Sequence, residues 1–118
     1  HFMDEEAQLF KALSDPTRLR LTILLAIHGE TCVCHLAEAL REPDYKISRH
    51  LGILRMSGLV EARRKGAWMH YRLVEGRNDL ERCLQECFRV CLHEHPAVRE
   101  DLEHLESKNT APGGEDCD

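Results

Sequence analysis

Thiol side chains are the residues of this 118-residue chain whose type and spacing most clearly suggest chemistry. Cys32 and Cys34 are one residue apart, and three more cysteines follow at intervals of four: Cys83, Cys87 and Cys91. Groups of thiolates bind soft, thiophilic ions or undergo reversible oxidation. An even number of cysteines would also suit the disulfides of a small exported protein, but no secretory signal opens the chain. We therefore expect reduced thiols that serve a metal site or a redox sensor.

A basic segment lies between acidic flanks. Residues 41–72 contain eight basic and three acidic residues, a formal charge of +5, although the whole chain carries −5. Such a segment is typical of a surface that binds a polyanion, and a merely solvated basic surface is the alternative. No run of residues approaches the roughly 18 apolar positions of a membrane span, so we expect a cytoplasmic protein without a membrane partner.

Apolar residues repeat at helical spacing along most of the chain. The pattern predicts helices over residues 3–13, 16–28, 31–40, 44–57, 79–93 and 97–105. Residues 59–64 and 67–74 predict a hairpin around Lys65-Gly66. Asp15 is the predicted N-cap of the second helix, and Gly29 its stop. On the helix from Asp79, we expect Cys87 and Cys91 to lie on the apolar side.

This order of elements predicts a winged helix-turn-helix, a fold that is mainly α with a small β-hairpin. Residues 3–107 form one predicted domain, and residues 108–118 a disordered acidic tail. A helix of this fold enters the major groove, and charges at the hairpin tip hold phosphates. The candidate DNA-binding residues of the fourth helix are Tyr45, Lys46, Ser48, Arg49 and His50. Those of the hairpin are Arg63, Arg64, Lys65, His70 and Arg72.

Four segments, in order, resemble the ArsR–SmtB family of metal-responsive repressors. They are residues 9–20 (LFKALSDPTRLR), 30–36 (ETCVCHL), 46–51 (KISRHL) and 65–73 (KGAWMHYRL). The resemblance covers about residues 7–74 and implies a homodimeric repressor, not an enzyme, that leaves its operator when a metal or metalloid binds. It also implies a dimer interface formed by the first helix and the helix from Asp79.

The Cys32-Val33-Cys34 motif is similar to that of family members that respond to trivalent arsenic and antimony. In those members a third cysteine follows three residues after the second, and here that position is Ala37. A third thiol could come from Cys83, Cys87 or Cys91, or these three could be small buried apolar residues. The predicted inducer is As(III) or Sb(III).

Other sensor chemistries stay open at this point. The same thiols could bind another soft or divalent metal, such as cadmium, lead or zinc, or form a reversible disulfide. A nitrogen-rich zinc site could use His93, His95 and His104, but the positions that zinc-responsive relatives use fall on Glu75, Arg77 and Phe88. A thiol enzyme or metal carrier that does not bind DNA is the alternative from another class.

Overall fold

A computed structural model of the protein describes residues 2–109, with residues 108 and 109 described through their backbone alone. The helices of this part are α1 (Asp4–Leu13), α2 (Pro16–His28), α3 (Val33–Leu40), α4 (Asp44–Met56), α5 (Asp79–Cys91) and α6 (Pro96–Asn109). The strands are β1 (Thr31–Cys32), β2 (Val60–Lys65) and β3 (Trp68–Leu73). This is the mainly helical winged fold that the sequence predicts, and none of the described helices could cross a membrane.

The second helix begins and ends where its sequence predicts. The carboxylate of Asp15 accepts hydrogen bonds from the backbone N–H groups of Thr17 and Arg18, at 2.9 and 3.1 Å. Pro16 occupies the first helical turn, where no amide hydrogen is needed. Gly29 ends the helix with φ 94°, a conformation that residues with a Cβ rarely adopt.

The sheet has one strand more than the predicted hairpin. Strands β2 and β3 form the hairpin, and β1 pairs with the other edge of β3, with Thr31 opposite Tyr71 and Cys32 opposite His70. The prediction that a helix starts at Thr31 was therefore wrong by two residues. The cause is tertiary, because the backbone of these two residues pairs with a strand almost forty positions away.

The core lies between α2, α3, α4 and the sheet. Its fully buried side chains include Leu21, Leu24, Leu36, Ile47 and Leu51, each 0 or 1% exposed. These residues repeat every three or four positions, so each helix turns one apolar side inward. The shared core packs α3 against α4, the two helices of the helix-turn-helix.

Helix α5 turns a different side inward than its sequence predicts. Its buried residues are Glu81, Gln85 and Phe88, whereas all three of its cysteines are exposed. Gln85 donates from Nε2 to the carbonyl oxygen of Val74 at 2.9 Å, a bond that compensates its burial. The expectation that Cys87 and Cys91 belong to the packed side was wrong.

Helix α6 covers α2 and α3 and is longer than predicted. Val98, Leu102 and Leu105 are buried in this contact, and a bidentate ion pair joins Asp101 to Arg20 of α2 at 2.9 and 2.7 Å. The predicted tail was to begin at residue 108, but the helix continues to Asn109. Residues 110–118, including Cys117, lie outside the described part of the chain.

Candidate nucleic-acid interface and thiol site

Helix α4 presents polar side chains on its outer surface. Tyr45 is 75% exposed, and Ser48 and Arg49 are exposed as well. The opposite side of the same helix holds Ile47 and Leu51, both fully buried in the core. Burial of one side fixes which residues point outward, so this helix can offer hydrogen-bond donors to a major groove.

The positive charge of Lys46 is partly neutralised by an ion pair that the sequence analysis did not predict. Its ammonium group lies 3.1 Å from Glu42, which precedes it by four residues. Both side chains are about one-third exposed. A phosphate would therefore compete with Glu42 for this lysine.

The structure corrects the expected orientation of His50. Its side chain is buried, with Nδ1 3.3 Å from Nη1 of Arg18 and 3.8 Å from the carboxylate of Asp15. Burial lowers the pKa of His50, as does the charge of Arg18, although Asp15 opposes them. Burial would raise the pKa of Asp15, but the hydrogen bond from the Arg18 amide and the nearby charges lower it instead. His50 thus joins α4 to the start of α2 and does not lie on the outer surface.

The hairpin, or wing, carries two kinds of basic residue. Arg63 is paired with Glu30 at 2.8 Å, and Arg72 is paired with Glu61. The hydrogen bond from Arg63 lowers the pKa of Glu30. Arg64 and Lys65, at the tip, are exposed and form no ion pair with any other described residue. These two residues are therefore the wing cations most readily available to phosphates.

His70 is the second predicted DNA contact that lies inside the protein. It is 5% exposed and stands in β3 opposite both Cys32 and Arg63. Its neighbours in β3 are not exposed, since Tyr71 is buried and Met69 is half-buried, and the added strand β1 covers what would have been a free edge. His70 therefore lies between the wing and the thiol pair.

Cys32 and Cys34 are both buried, at 1 and 3% exposure. Cys32 ends β1 and is the N-cap residue of α3, and Cys34 is in the first turn of that helix. Their sulfur atoms are 3.0 Å apart, so both could lie within bonding distance of one ion. Cys32 is not in a disulfide whereas Cys34 is, so the pair can bind an ion through two thiolates only after Cys34 is reduced.

The five candidate thiols separate into two groups. Cys83, Cys87 and Cys91 are exposed along α5, where a hydrogen bond with Cys91 raises the pKa of Cys87. Within the described residues, no three His, Cys, Asp or Glu side chains lie together as ligands of one ion. The position that would carry a third thiol on α3 is Ala37, which is buried. The α5 thiols therefore do not complete the Cys32/Cys34 pair within one chain.

Sequence reasoning missed the partners that position the candidate DNA-binding residues. Glu30 and Glu61 hold two wing arginines, and Arg18 contacts His50 while donating from Nε to the carbonyl oxygen of Ala12 at 2.6 Å. Only the alternation of opposite charges in paired strands hints at the Glu61–Arg72 contact. Nothing in the local pattern indicates the others.

Known proteins are similar to this chain in sequence and fold. Residues 15–62 match the family described as bacterial regulatory protein, arsR family. The chain is 56% identical over 66 residues to an arsenical resistance operon repressor of Escherichia coli (strain K12), a match that covers 56% of each protein. It is 45% identical over 74 residues to an uncharacterized HTH-type transcriptional regulator of Methanocaldococcus jannaschii, covering 63% of this chain and 83% of that protein.

A solved structure of a transcriptional repressor is also similar to this chain. The transcriptional repressor BigR from Xylella fastidiosa superposes with a TM-score of 0.63 at 35% identity, over 77% of this chain and 88% of that one. The matched region spans only about half the length of the Escherichia coli repressor, but most of the archaeal regulator. The family match at residues 15–62 covers α2, β1, α3, α4 and the start of β2.

Proposed function

The chain belongs to the arsR family of bacterial regulatory proteins, and from that premise we propose that it represses transcription until Cys32 and Cys34 bind a trivalent metalloid. The family and the relatives above are transcriptional regulators, not enzymes. The inducer would be As(III) or Sb(III), bound by thiolates. The regulated step would be release of operator DNA in the cytoplasm.

The observation that carries this proposal is the position of the thiol pair. Cys32 belongs to the sheet through its pairing with His70, and Cys34 lies in α3, which packs against α4. An ion held by both sulfur atoms therefore acts on the wing and on the groove-binding helix together. A coupling free energy of about 1.4 kcal/mol would change operator affinity tenfold.

The chemistry suits a soft, trivalent centre. Each thiol that binds arsenite, As(OH)3, forms an As–S bond and releases one water molecule, with no change of oxidation state. Sulfur ligands bind such centres in preference to carboxylate or water. The burial of both cysteines keeps competing solvent away from these bonds.

A dimer would present two α4 helices to successive major grooves, as operators with two half-sites require. Exposed apolar residues support α1 and α5 as its interface, since Phe10 is 49% exposed and Val90 is 65% exposed. Exposed apolar surface is where protein partners commonly bind.

The proposal is tested by DNA release. A duplex selected by the reduced protein from a random pool would be titrated with arsenite for wild type, Cys32→Ser, Cys34→Ser and the exposed control Cys83→Ser. We expect arsenite to release wild type and Cys83→Ser, and to leave the other two variants bound. Equal release of Cys32→Ser and Cys34→Ser, with DNA binding intact before titration, would refute the assignment. A parallel titration with Cd²⁺ distinguishes a metalloid sensor from a sensor of divalent soft metals.

A second candidate is a sensor of thiol oxidation, and the 3.0 Å distance between the sulfur atoms of Cys32 and Cys34 favours it. Two thiols and one molecule of hydrogen peroxide give a disulfide and two molecules of water. Release of DNA by peroxide in the absence of any metal or metalloid, reversed by a reductant, would support this candidate over the first.

A further inference from the structure

We propose that a phosphate group of the DNA backbone packs against the bare helix surface at Gly52, between the side chains of Arg49 and Arg55. The contact presupposes the DNA binding proposed above, on which this inference therefore rests. It adds a backbone contact in the second half of α4, and it needs neither arsenite nor the thiols.

Gly52 is a glycine that the fold does not require. Two features usually require one: a backbone φ that other residues rarely adopt, or an atom where a Cβ would lie. The other described glycines each have such a feature. Positive φ values occur at Gly29, Gly58 and Gly66. A Cβ on Gly76 would lie 2.7 Å from the side chain of Arg82. Gly52 has neither feature, because its φ is not positive and nothing lies within 4 Å of its Cβ position.

A glycine at this place is unfavourable for the helix itself. Gly52 lies in the second half of the 13-residue helix α4, with helical residues on both sides. Glycine loses more backbone entropy in a helix than alanine does, so a residue with a side chain would stabilise α4 here. The bare surface therefore gives no benefit to the fold, but it allows another molecule to approach the helix closely.

Gly52 lies in the middle of the outer surface of α4. The fully buried residues of this helix are on its other side: Ile47, Leu51 and Leu54. Arg49 and Arg55, three positions before and after Gly52, are exposed and form no ion pair with any other described residue. Residues three positions apart are neighbours on a helix surface, so the two guanidinium groups can lie on either side of the bare position.

The charges around Gly52 suit a phosphate group. Two arginines can bind one phosphate through charge-assisted hydrogen bonds, which are stronger than neutral ones. The N-terminal half of a groove-binding helix contacts the bases, which leaves its second half to the DNA backbone. A second copy of this chain is the competing partner, but two α4 helices packed together would bring four arginines close to each other. The sole acidic residue of α4 is Asp44, in its first turn.

The test is DNA binding by the reduced full chain in the absence of arsenite. Fluorescence anisotropy would give the affinities of wild type, Gly52→Ala, Gly52→Gln and Ile53→Gln for the selected duplex and for an unrelated one. Ile53→Gln is the matched control, because it places the same side chain at the next position of α4, which is 41% exposed. We expect Gly52→Gln to weaken binding to both duplexes about tenfold or more, since the glutamine fills the place of the phosphate. Gly52→Ala and Ile53→Gln should weaken it much less.

Stability separates this effect from misfolding. Gly52→Ala and Gly52→Gln should raise the midpoint of urea unfolding, because alanine and glutamine favour a helix more than glycine does. Weaker DNA binding by a more stable protein cannot result from unfolding. Arg55→Gln should reduce the slope of log affinity against log salt by about 1, as expected for the loss of one phosphate contact.

Four outcomes overturn the inference. Unchanged affinity of Gly52→Gln would show that DNA does not approach this position, and a lower urea midpoint would show that the fold requires the glycine. A loss of affinity for the selected duplex alone would place a base edge there. A change of oligomeric state with unchanged DNA affinity would identify a second copy as the partner. If wild type binds no duplex, the proposed DNA binding fails as well, whereas a wild type that binds DNA and ignores arsenite refutes the proposed sensor and not this contact.

Discussion

The carboxylate of Asp15 makes contacts within α2 and also with α4. Its carboxylate caps α2 through two backbone N–H groups, and it lies 3.8 Å from the imidazole of His50 on α4. Arg18, in the first turn of α2, contacts the same imidazole. The start of α2 therefore sets both its own first turn and the position of α4.

The buried imidazole predicts a pH dependence of folding. The unfolded chain takes up a proton on a histidine near pH 6.5, whereas His50 in the folded protein does so only at lower pH, since burial and Arg18 lower its pKa. Its contribution to stability is therefore present above about pH 6.5 and is lost as the pH falls through its folded-state pKa. Urea unfolding between pH 7.5 and 5 should show a smaller loss of stability for His50→Gln than for wild type. The exposed His93→Gln is the control, and a loss equal in all three proteins would contradict the prediction.

Removal of the cap tests the same residue independently. Asp15→Ala should lower the free energy of unfolding by about 1–2 kcal/mol, because two amide groups lose their acceptor. Asp44→Ala also removes an acidic residue from a first helical turn, but that residue makes no cap hydrogen bond and should cost about 0.5 kcal/mol or less. Denaturant titration of both variants measures the difference, and equal effects would show that capping is not the cause.

Among the elements, two ion pairs attach α6 and the wing to the rest of the domain. Helix α6 is joined to α2 by a buried carboxylate, and the wing is joined to the loop before β1 by the Arg63–Glu30 pair. The first attachment is largely inaccessible to water at Asp101, and the second is exposed at Arg63. Their energetic contributions should differ accordingly.

The ion pair of α6 should contribute strongly to stability. Asp101→Ala leaves the guanidinium of Arg20 without its bidentate partner, and we expect a loss of about 2 kcal/mol, less than for a fully buried pair because Arg20 is one-third exposed. Glu100→Ala removes an exposed partner of Arg41 one position away and should cost about 0.5 kcal/mol or less. Chemical denaturation compares them, and a smaller loss for Asp101→Ala than for Glu100→Ala would contradict this account.

The wing predicts a difference in salt dependence. Arg64→Ala combined with Lys65→Ala should weaken binding to any duplex and reduce the slope of log affinity against log salt by about 2. Arg63→Ala should reduce that slope by less than about 1, because Glu30 already holds its guanidinium. Fluorescence anisotropy over a range of salt concentrations measures both slopes. An unchanged slope in the double variant would exclude the wing tip from DNA contact.

For the whole molecule, the distribution of surface character separates two roles. Polar and basic residues lie on α4 and on the wing, whereas the exposed thiols and Val90 lie on α5. A formal charge of −5 does not prevent DNA binding, because the acidic residues lie mostly outside residues 41–72. The molecule thus has one surface suited to a polyanion and another suited to a second copy.

The proposed dimer can be tested on the second surface. Val90→Asp places a charge on the exposed apolar part of α5, and we expect a shift from dimer to monomer together with weaker operator binding. Arg64→Asp, on the wing, should weaken operator binding without changing the oligomeric state. Analytical ultracentrifugation distinguishes the two variants. A dimer that persists in Val90→Asp would place the interface elsewhere.

The features that the sequence alone determined are local ones. The cap at Asp15, the stop at Gly29, the hairpin turn at Gly66 and the apolar sides of α2 and α4 follow from residues within a few positions of each other. The family motifs are also contiguous segments, so fold and family could be inferred from them. Short-range hydrogen bonds and helical or strand periodicity are sufficient causes for all of these features.

Relations between distant residues depend on how the helices and strands pack together. The pairing of Cys32 with His70 turned the expected first turn of a helix into a strand, and burial placed His50 and His70 away from the surface predicted to face DNA. The Arg20–Asp101 pair spans 81 positions, and the separation of the α5 thiols from Cys32 and Cys34 depends on which side of α5 packs inward. These contacts depend on which helices and strands pack against each other in the core. The periodicity of apolar residues along one helix or strand does not show which other elements it will contact.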